Sequence, residues 1–166
     1  CITGAGEFLK ESVEVMEKLD KELTVFVSHA AKEVLQAYGL VERVKKLGKV
    51  KYESDHAAMD AGKVTLGNYE AVIVSPATAN TVAKVANGIA DNLVSTAVSL
   101  ALKTDTKVIM LPTDWKSGVI NIPDTLTEGG TKIHMKPRKS DLRNIKYLEE
   151  EGIIILESPE EILKKL

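Results

Sequence analysis

The sequence predicts an α/β fold, a three-layer doubly wound parallel sheet. Short apolar runs rich in β-branched residues alternate along the chain with runs of helical periodicity. Two of the apolar runs, residues 71–74 and 107–111, are apolar on both faces, and each stops at a polar loop that contains proline. Strands of that kind need helices above and below the sheet, and right-handed crossovers supply them. A doubly wound sandwich is therefore the economical architecture.

The first half of the chain is predicted to contain three short strands separated by helices. In residues 7–19 the apolar side chains recur mostly at the spacing of one face of an α-helix, which indicates an amphipathic helix. Gly48 follows a later helical stretch and is expected to end it as a C-cap. The predicted elements are, in order, a strand at 1–3, a helix at 7–19, a strand at 23–27, helices at 30–38 and 40–47, a short strand at 50–52 and an ambiguous segment at 55–66.

The second half continues the alternation and interrupts it once. Residues 114–136 contain three glycines and a proline and are predicted to form a long excursion or hairpin. Excursions of this length often serve as lids or as contacts between subunits. The predicted elements are a strand at 71–74, one long helix reaching from the loop 75–81 to about residue 101, a strand at 107–111, the excursion, a helix at 141–151, a strand at 153–156 and a terminal helix at 159–166.

Composition and charge restrict the classes of partner. The chain has 166 residues and a formal net charge of −2, with acidic and basic residues interspersed. This length suits one domain, and the charge pattern favours neither nucleic acid nor an anionic membrane as a partner. No apolar stretch approaches the roughly 20 residues that span a bilayer, so the cytoplasm is the expected location.

Cysteine and histidine usage bears on redox and metal chemistry. The single cysteine, Cys1, excludes an internal disulfide and a cluster held by four thiolates of this chain. Any iron–sulfur partner is then expected to be another protein. His29, His56 and His134 have no metal-type spacing, so no metal site is predicted. Because three residues before Gly4 make a short strand, we also expect a few residues to precede Cys1 in the native protein.

Three loops are predicted to meet at the carboxyl edge of the sheet, residues 3–6, 28–30 and 75–81. In doubly wound sheets such loops line one ligand crevice. The two glycines of the first loop would let backbone approach a phosphate, but Leu9 stands where a dinucleotide fingerprint needs a third glycine. Ser28 stands where a nicotinamide-dinucleotide site carries an acid. Hydroxyl, carboxamide and backbone donors without an acid fit a mononucleotide such as FMN better.

The loops also resemble those of a known family. Pro76-Ala77-Thr78-Ala79-Asn80-Thr81 looks like the central motif of the FMN-binding flavoprotein superfamily, which includes phosphopantothenoylcysteine decarboxylase. Within that superfamily the chain most resembles the archaeal archaeoflavoproteins and dihydromethanopterin-reductase-type flavoproteins, over nearly its whole length. Besides the central motif, the segments that carry this resemblance are residues 2–6, 61–63, 83–84, 87–93, 136–139 and 156–162. The resemblance implies a Rossmann-like flavoprotein fold and a single FMN-binding domain over residues 1–166.

Family roles can be assigned to residues that match the motifs. The resemblance implies that the first two loops hold the phosphate and ribityl chain of FMN and that the central motif lies along the flavin. It implies one further contact from the residue after Pro112. The predicted FMN-binding residues are Gly4, Ala5, Gly6, Ser28, His29, Ala30, Thr78, Ala79, Asn80, Thr81 and Thr113.

Two departures from the family pattern restrict the chemistry. Gly62 stands where the cysteine decarboxylases carry their catalytic histidine, about fourteen residues before the motif proline. The segment Pro112-Thr113-Asp114-Trp115 replaces their Pro-x-Met-Asn sequence. Decarboxylation of a cysteinyl substrate is therefore not expected, and no catalytic residue is assigned.

The remaining hypothesis is an FMN-dependent oxidoreductase or electron-transfer flavoprotein, in which the flavin supplies the chemistry. The resemblance suggests a ferredoxin-like donor and dihydromethanopterin, or a similar pterin or planar molecule, as acceptor. It also implies a homo-oligomer built from trimers. The alternatives are a flavoprotein of the decarboxylase or dipicolinate synthase type and a flavin carrier without turnover.

Several features also have purely structural interpretations. In the 75–81 loop, Thr78 or Asn80 could simply cap a helix. Trp115 could be a flavin-stacking wall or an interface anchor. The basic cluster in residues 43–49 could be a solvated face or a ferredoxin dock.

Overall fold

The computed structural model describes residues 1–53, 57–122, 125, 127–128 and 130–166. Its α-helices are α1 (Leu9–Met16), α2 (His29–Ala37), α3 (Val41–Lys46), α4 (Ala57–Gly62), α5 (Ala79–Ala86), α6 (Leu93–Lys103), α7 (Lys139–Glu150) and α8 (Ile162–Lys165). Its strands are β1 (Leu23–Val27), β2 (Gly48–Tyr52), β3 (Ala71–Ala77), β4 (Lys107–Pro112), β5 (Gly118–Ile122), β6 (Thr131–Met135) and β7 (Ile154–Ile155). Short 3-10 helices cover Lys63–Leu66 and Pro159–Glu161.

Residues 1–3 form the central strand of the sheet, because they pair on both sides. On one side the Ile2 N–H donates to the Phe26 carbonyl at 2.8 Å, and the Ser28 N–H donates to the Ile2 carbonyl at 3.1 Å. On the other side the Ser75 N–H donates to the Cys1 carbonyl at 3.0 Å. The central strand thus joins the parallel pair β2-β1 to the parallel set β3-β4-β7. Numbered along the chain, the six strands have the order 3-2-1-4-5-6 of a doubly wound nucleotide-binding sheet.

Apolar side chains cover both faces of this sheet. On one face, Val74 and Met110 lie in a buried cluster with Val98 of α6. On the other face, Ile109 lies in a buried cluster with Val15 of α1. Each fully buried side chain of this size stabilises the fold by roughly 1.5–3 kcal/mol. The predicted three-layer α/β fold, with helices above and below a parallel sheet, is confirmed.

The prediction of one long helix after β3 is wrong, because this stretch forms two helices, α5 and α6. Gly88 adopts a left-handed conformation with φ of +69°, which ends the α5 segment. Asn92 then starts α6 with a capping box, in which its side chain accepts from the Ser95 N–H at 2.9 Å. Between these caps, Lys84 pairs with Asp91 at 2.7 Å. The two helices are therefore separate elements, and Asp91 and Asn92 have structural roles at the break between them.

The segment around Gly48 differs from the prediction in its boundaries. The helix α3 ends one residue earlier, with Leu47 as its C-cap, and β2 begins at Gly48. Gly48 has φ of +155°, and a Cβ there would collide with the Leu23 carbonyl oxygen of the adjacent strand. The glycine therefore permits close strand pairing.

Three further predictions were tested by the backbone. The excursion at 114–136 contains an antiparallel hairpin of β5 and β6, as predicted. The ambiguous segment 55–66 contains α4 and a 3-10 turn, while residues 54–56 lie outside the described part. The last strand covers only two residues instead of the four predicted at 153–156. In the part of the chain described here, no helix combines the length and apolarity needed to cross a bilayer.

Candidate functional site

The candidate site lies where the chain leaves the central strand and β3, which are adjacent in the sheet. The central strand leads to α1 on one face, and β3 leads to α5 on the other face. At such a topological switch point the two connections diverge and leave a crevice at the carboxyl ends of the strands. The first and third predicted loops therefore border one crevice.

Thr3 ties these two loops together. It is 2% exposed, its Oγ1 donates to the Pro76 carbonyl at 2.8 Å, and it accepts from the Thr78 N–H at 2.9 Å. A hydroxyl is one of the few side chains that can donate and accept at once. Thr3 was not among the predicted binding residues, although its position at the end of the first strand-like run was a usable signal.

The first loop offers unengaged backbone donors. In the described part of the chain, none of the amides of Gly4, Ala5 and Gly6 donates a hydrogen bond. A Cβ on Gly4 would lie 2.7 Å from the Ala30 Cβ, closer than packed atoms approach. A Cβ on Gly6 would collide with the Tyr38 hydroxyl. The glycines thus let the loop lie against α2, and successive free amides form the kind of nest that binds anions.

The second loop begins α2 and lies beside the first. Ser28 is the N-cap, and its Oγ accepts from the Ala31 N–H at 3.2 Å. The Ala30 side chain faces Gly4 across the junction. The His29 side chain is exposed, while its backbone N–H donates to Glu53 Oε2 at 2.7 Å. Ser28, His29 and Ala30 therefore lie next to the first loop, but the Ser28 hydroxyl already caps a helix.

Glu53 is a component of the site that sequence reasoning missed. It follows β2, and its second oxygen accepts from the Leu93 N–H at 3.3 Å. One carboxylate thereby joins the N-termini of α2 and α6, where a negative charge is favourable. An acid directly after the predicted strand 50–52 was the available signal.

The third loop forms the start of α5. Thr78 is its N-cap and accepts from the Thr81 N–H at 3.3 Å, and the two hydroxyls lie 3.1 Å apart. Asn80 is exposed and follows Ala79 in the first turn, so Thr78 is the capping residue and the Asn80 side chain does not have that role. The exposed Asn80 carboxamide leaves this turn with a side-chain donor and acceptor facing solvent, while Thr81 is buried and Thr78 is half-buried.

Asp114 joins the exit of β4 to this turn. Its Oδ2 accepts from the Ala79 N–H at 3.2 Å and from Thr113 Oγ1 at 2.8 Å. Thr113 is buried, and its N–H donates to the Ala77 carbonyl at 3.1 Å. Thr113 therefore lies at the same edge as the third loop, where it was predicted, but Asp114 was not predicted.

Glu7 brings a second carboxyl group to this side of the crevice. Burial, and after it the charge of Asp114, raises the pKa of Glu7 above its ordinary value. A Cβ on Gly118, at the start of β5, would lie 4.0 Å from Glu7 Oε1. The first loop, the β4 exit and the base of the hairpin thus adjoin one another.

A cavity lies at another part of the sheet. Its volume is about 270 Å³, and its lining includes Leu23 and Ala71, the first residues of β1 and β3. It therefore opens at the amino ends of the strands. Ligands of open α/β sheets bind at the opposite, carboxyl edge, so we do not assign the cavity to the site.

Trp115 packs against a buried core cluster, with Lys116 Nζ 4.3 Å from its ring centroid.

Comparison with known proteins identifies relatives of the whole chain. The sequence model of the flavoprotein family matches residues 1–165. The dihydromethanopterin reductase (acceptor) of Methanocaldococcus jannaschii is 38% identical over 151 residues, which are 82% of this chain and 61% of that protein. The enzyme of the same name from Methanosarcina mazei is 41% identical over 133 residues, 72% of this chain and 56% of that protein. The chain thus spans about three fifths of the length of these reductases.

A solved structure is similar over almost the full chain. It is the FMN complex of DmrB from Burkholderia xenovorans, described as a cubic protein cage for redox transfer. Its TM-score is 0.86 and its identity 30%, and the match covers 99% of this chain and 89% of that one.

Proposed function

This chain belongs to the flavoprotein family, and we propose that it is an FMN-dependent oxidoreductase that binds its cofactor at the switch-point crevice. The observation that carries the proposal is the first loop, whose three consecutive amides have no acceptor among the described residues and whose glycines let the loop lie closely against α2. The FMN complex of the similar DmrB structure supports the choice of cofactor.

The residues present fit a flavin mononucleotide. The amides of the first loop, together with the N-terminus of α2, would hold a phosphate. Thr78, Asn80 and Thr81 would supply the donors and acceptors that the ribityl chain and the polar edge of the flavin need. Bound there, FMN would supply the redox chemistry, while the protein would position it and set its potential. All eleven predicted binding residues are retained in this proposal.

The proposed acceptor is dihydromethanopterin or a similar pterin, because two relatives named dihydromethanopterin reductase are 38% and 41% identical to the chain. The proposed donor is a ferredoxin-like protein, since the chain has one cysteine and cannot hold a four-thiolate cluster of its own. We place this activity in the cytoplasm and in one FMN-binding domain, residues 1–166.

We also propose that the chain assembles into trimers and larger assemblies built from them. Similar proteins are described as a cubic cage and as a dodecamer, and both assemblies can contain threefold axes.

A sequence of three measurements tests the function. The protein is mixed with FMN, freed of excess and examined for bound flavin by its visible spectrum. It is then reduced anaerobically with reduced ferredoxin, and dihydromethanopterin is added. The proposal expects flavin bleaching by ferredoxin and recovery of the oxidised spectrum with the pterin. A protein that retains no flavin contradicts the cofactor, and one that retains flavin but never transfers electrons is a carrier.

A further inference from the structure

A short exposed segment next to the site is strongly basic. Residues 131–139, hereafter the basic arm, comprise β6 and the turn into α7. They contain four lysines or arginines and no acid, in a chain of net charge −2. All four cationic side chains are exposed, and of these only Arg138 forms an ion pair in the described structure, with Asp141 at 2.7 Å. Lys132, Lys136 and Lys139 thus present uncompensated positive charge.

The hairpin places this charge beside the crevice. Its first strand begins at Gly118, next to Glu7, which follows the first loop, and four residues after Asp114. Its second strand ends at Met135, three residues before Arg138, the N-cap of α7. The pKa of Arg138 is raised mainly by its hydrogen bond to Asp141 and, to a smaller extent, by the charge of Asp114. Both ends of the hairpin therefore lie at the edge where the cofactor is proposed to bind.

Two exposed apolar side chains lie within the arm. Ile133 is 41% exposed and Met135 is 42% exposed, and both lie between the lysines. Protein interfaces combine an apolar centre, often containing methionine, with a charged rim, whereas a small anion needs no exposed apolar side chains. The pattern therefore favours a protein partner.

A second basic cluster, residues 43–49, differs from the basic arm in how its cations are paired. Arg43 makes two hydrogen bonds to Glu17, at 2.7 and 2.8 Å, and Lys45 pairs with Glu42 at 2.7 Å. Two of the four cations that made residues 43–49 a candidate dock are thus paired within the chain. In the basic arm only one of four is paired within the described structure.

We propose that the basic arm is the docking surface for a small acidic protein that delivers electrons to the cofactor. This inference rests on the proposed function and adds the face at which the donor binds. A one-electron centre of the partner is oxidised at each encounter. Two encounters supply two electrons, and two protons from water complete the reduction of FMN. Docking at the arm brings the donor to the edge of the crevice, and its attraction weakens with salt.

The test compares two triple variants of the FMN-loaded protein. One carries Lys132→Glu, Lys136→Glu and Lys139→Glu. The matched control carries Lys46→Glu, Lys49→Glu and Lys103→Glu, exposed lysines that form no ion pair in the described structure. The probe is a reduced [2Fe–2S] ferredoxin of strongly negative charge. Stopped-flow absorbance measures the second-order rate of flavin bleaching, and calorimetry measures the affinity of the flavin-free proteins for oxidised ferredoxin.

The expected results separate the two surfaces. In the arm variant, the rate and the affinity at low salt fall about tenfold or more, and the salt dependence is lost or reversed. The control changes by less than about threefold, as distant charges are screened. Equal effects in both variants, or none in the arm variant, overturn the inference. So does an arm variant whose only change is dissociation into monomers, because the arm then contacts another copy. Failure of the proposed function gives a different result, because the protein then retains no flavin or its bound flavin cannot be reduced by dithionite.

Discussion

The Thr3 hydroxyl accepts a hydrogen bond from the Thr78 N–H at 2.9 Å, across 75 residues of chain. The same hydroxyl donates to the Pro76 carbonyl at 2.8 Å. Thr3 is buried, so its hydroxyl makes both bonds away from solvent. One side chain therefore sets the distance between the two loops that border the crevice, and the predictions begin with its removal.

Thr3→Val preserves the shape of the side chain and deletes both hydrogen bonds. We expect the free energy of unfolding to fall by about 1–3 kcal/mol, since a buried N–H is left unsatisfied. FMN affinity should fall as well, because the loops are no longer held together. Urea unfolding and flavin-fluorescence titration measure the two effects. Thr3→Ser keeps the hydroxyl and should retain most of the stability and most of the FMN affinity. Equal losses in the two variants would contradict this account.

Gly4→Ala introduces a methyl group at the closest approach of the first loop to α2. Its Cβ would lie 2.7 Å from that of Ala30, so the loop has to move away. We expect FMN affinity to fall about tenfold or more while the far-ultraviolet circular dichroism is unchanged, a loss of about 1.4 kcal/mol in binding. Gly62→Ala is the matched control, because no described atom lies within 4 Å of its added Cβ and its φ of −55° is helical. An unchanged FMN affinity in Gly4→Ala would place the cofactor elsewhere.

Glu53→Gln removes a negative charge from the N-terminus of α2. The carboxylate accepts from the His29 N–H at 2.7 Å, beside the amides proposed to hold the phosphate of FMN. Since like charges repel, the variant should bind FMN about threefold to tenfold more tightly, at low ionic strength. Riboflavin lacks the phosphate and should bind both proteins equally. If the affinities for FMN and riboflavin change together, Glu53 only joins the two helices.

Asn80→Asp separates cofactor binding from helix capping. An acid in the first turn of α5 should stabilise the helix by about 0.3–1 kcal/mol, because the N-terminus of a helix carries partial positive charge. The same charge close to the flavin should weaken FMN or lower its midpoint potential. Thermal unfolding of the flavin-free protein and spectroelectrochemistry of the loaded protein give the two values. Higher stability with unchanged affinity and potential would remove Asn80 from the site.

Glu7→Gln should change the pH dependence of stability. The pKa of Glu7 is raised in the folded protein, first by burial and then by Asp114. A raised carboxyl pKa means that stability is fully present below the unfolded pKa and is lost as the pH rises through the folded pKa. Glutamine cannot ionise, so the variant should melt at a higher temperature than the natural protein near pH 7 and at the same temperature near pH 4. A constant difference across that range would contradict the ionisation argument.

The sheet and its carboxyl-edge loops could be predicted from sequence, because their signals are local. The runs at 71–74 and 107–111 are apolar on both faces and are followed by prolines, so the strands were visible, although β3 continues past Pro76 to Ala77. Gly4 and Ser28 follow the same logic, since each comes directly after a strand. The loops that contain them lie side by side because the strands before them are parallel neighbours in the sheet.

Other parts of the site depend on contacts that sequence does not reveal. Glu53 meets backbone donors 24 and 40 residues away. The break between α5 and α6 depends on Gly88 and on a capping box at Asn92, whereas the alanine-rich sequence around them is compatible with one continuous helix. The contacts of Glu53 are thus long-range, whereas the break is made by local caps at Gly88 and Asn92.

The double pairing of the central strand has a consequence for the order of assembly. Ile2 pairs with β1 on one side, while Cys1 and Thr3 bond on the other side to backbone about 72 to 75 positions further along the chain. A contact of that separation is made late, because the intervening loop has to be closed first. The first loop therefore gains its geometry only after the middle of the chain is in place. Uptake of flavin by a folding chain would then mark the completion of the sheet. A chain arrested before β3 would have no binding site for the cofactor.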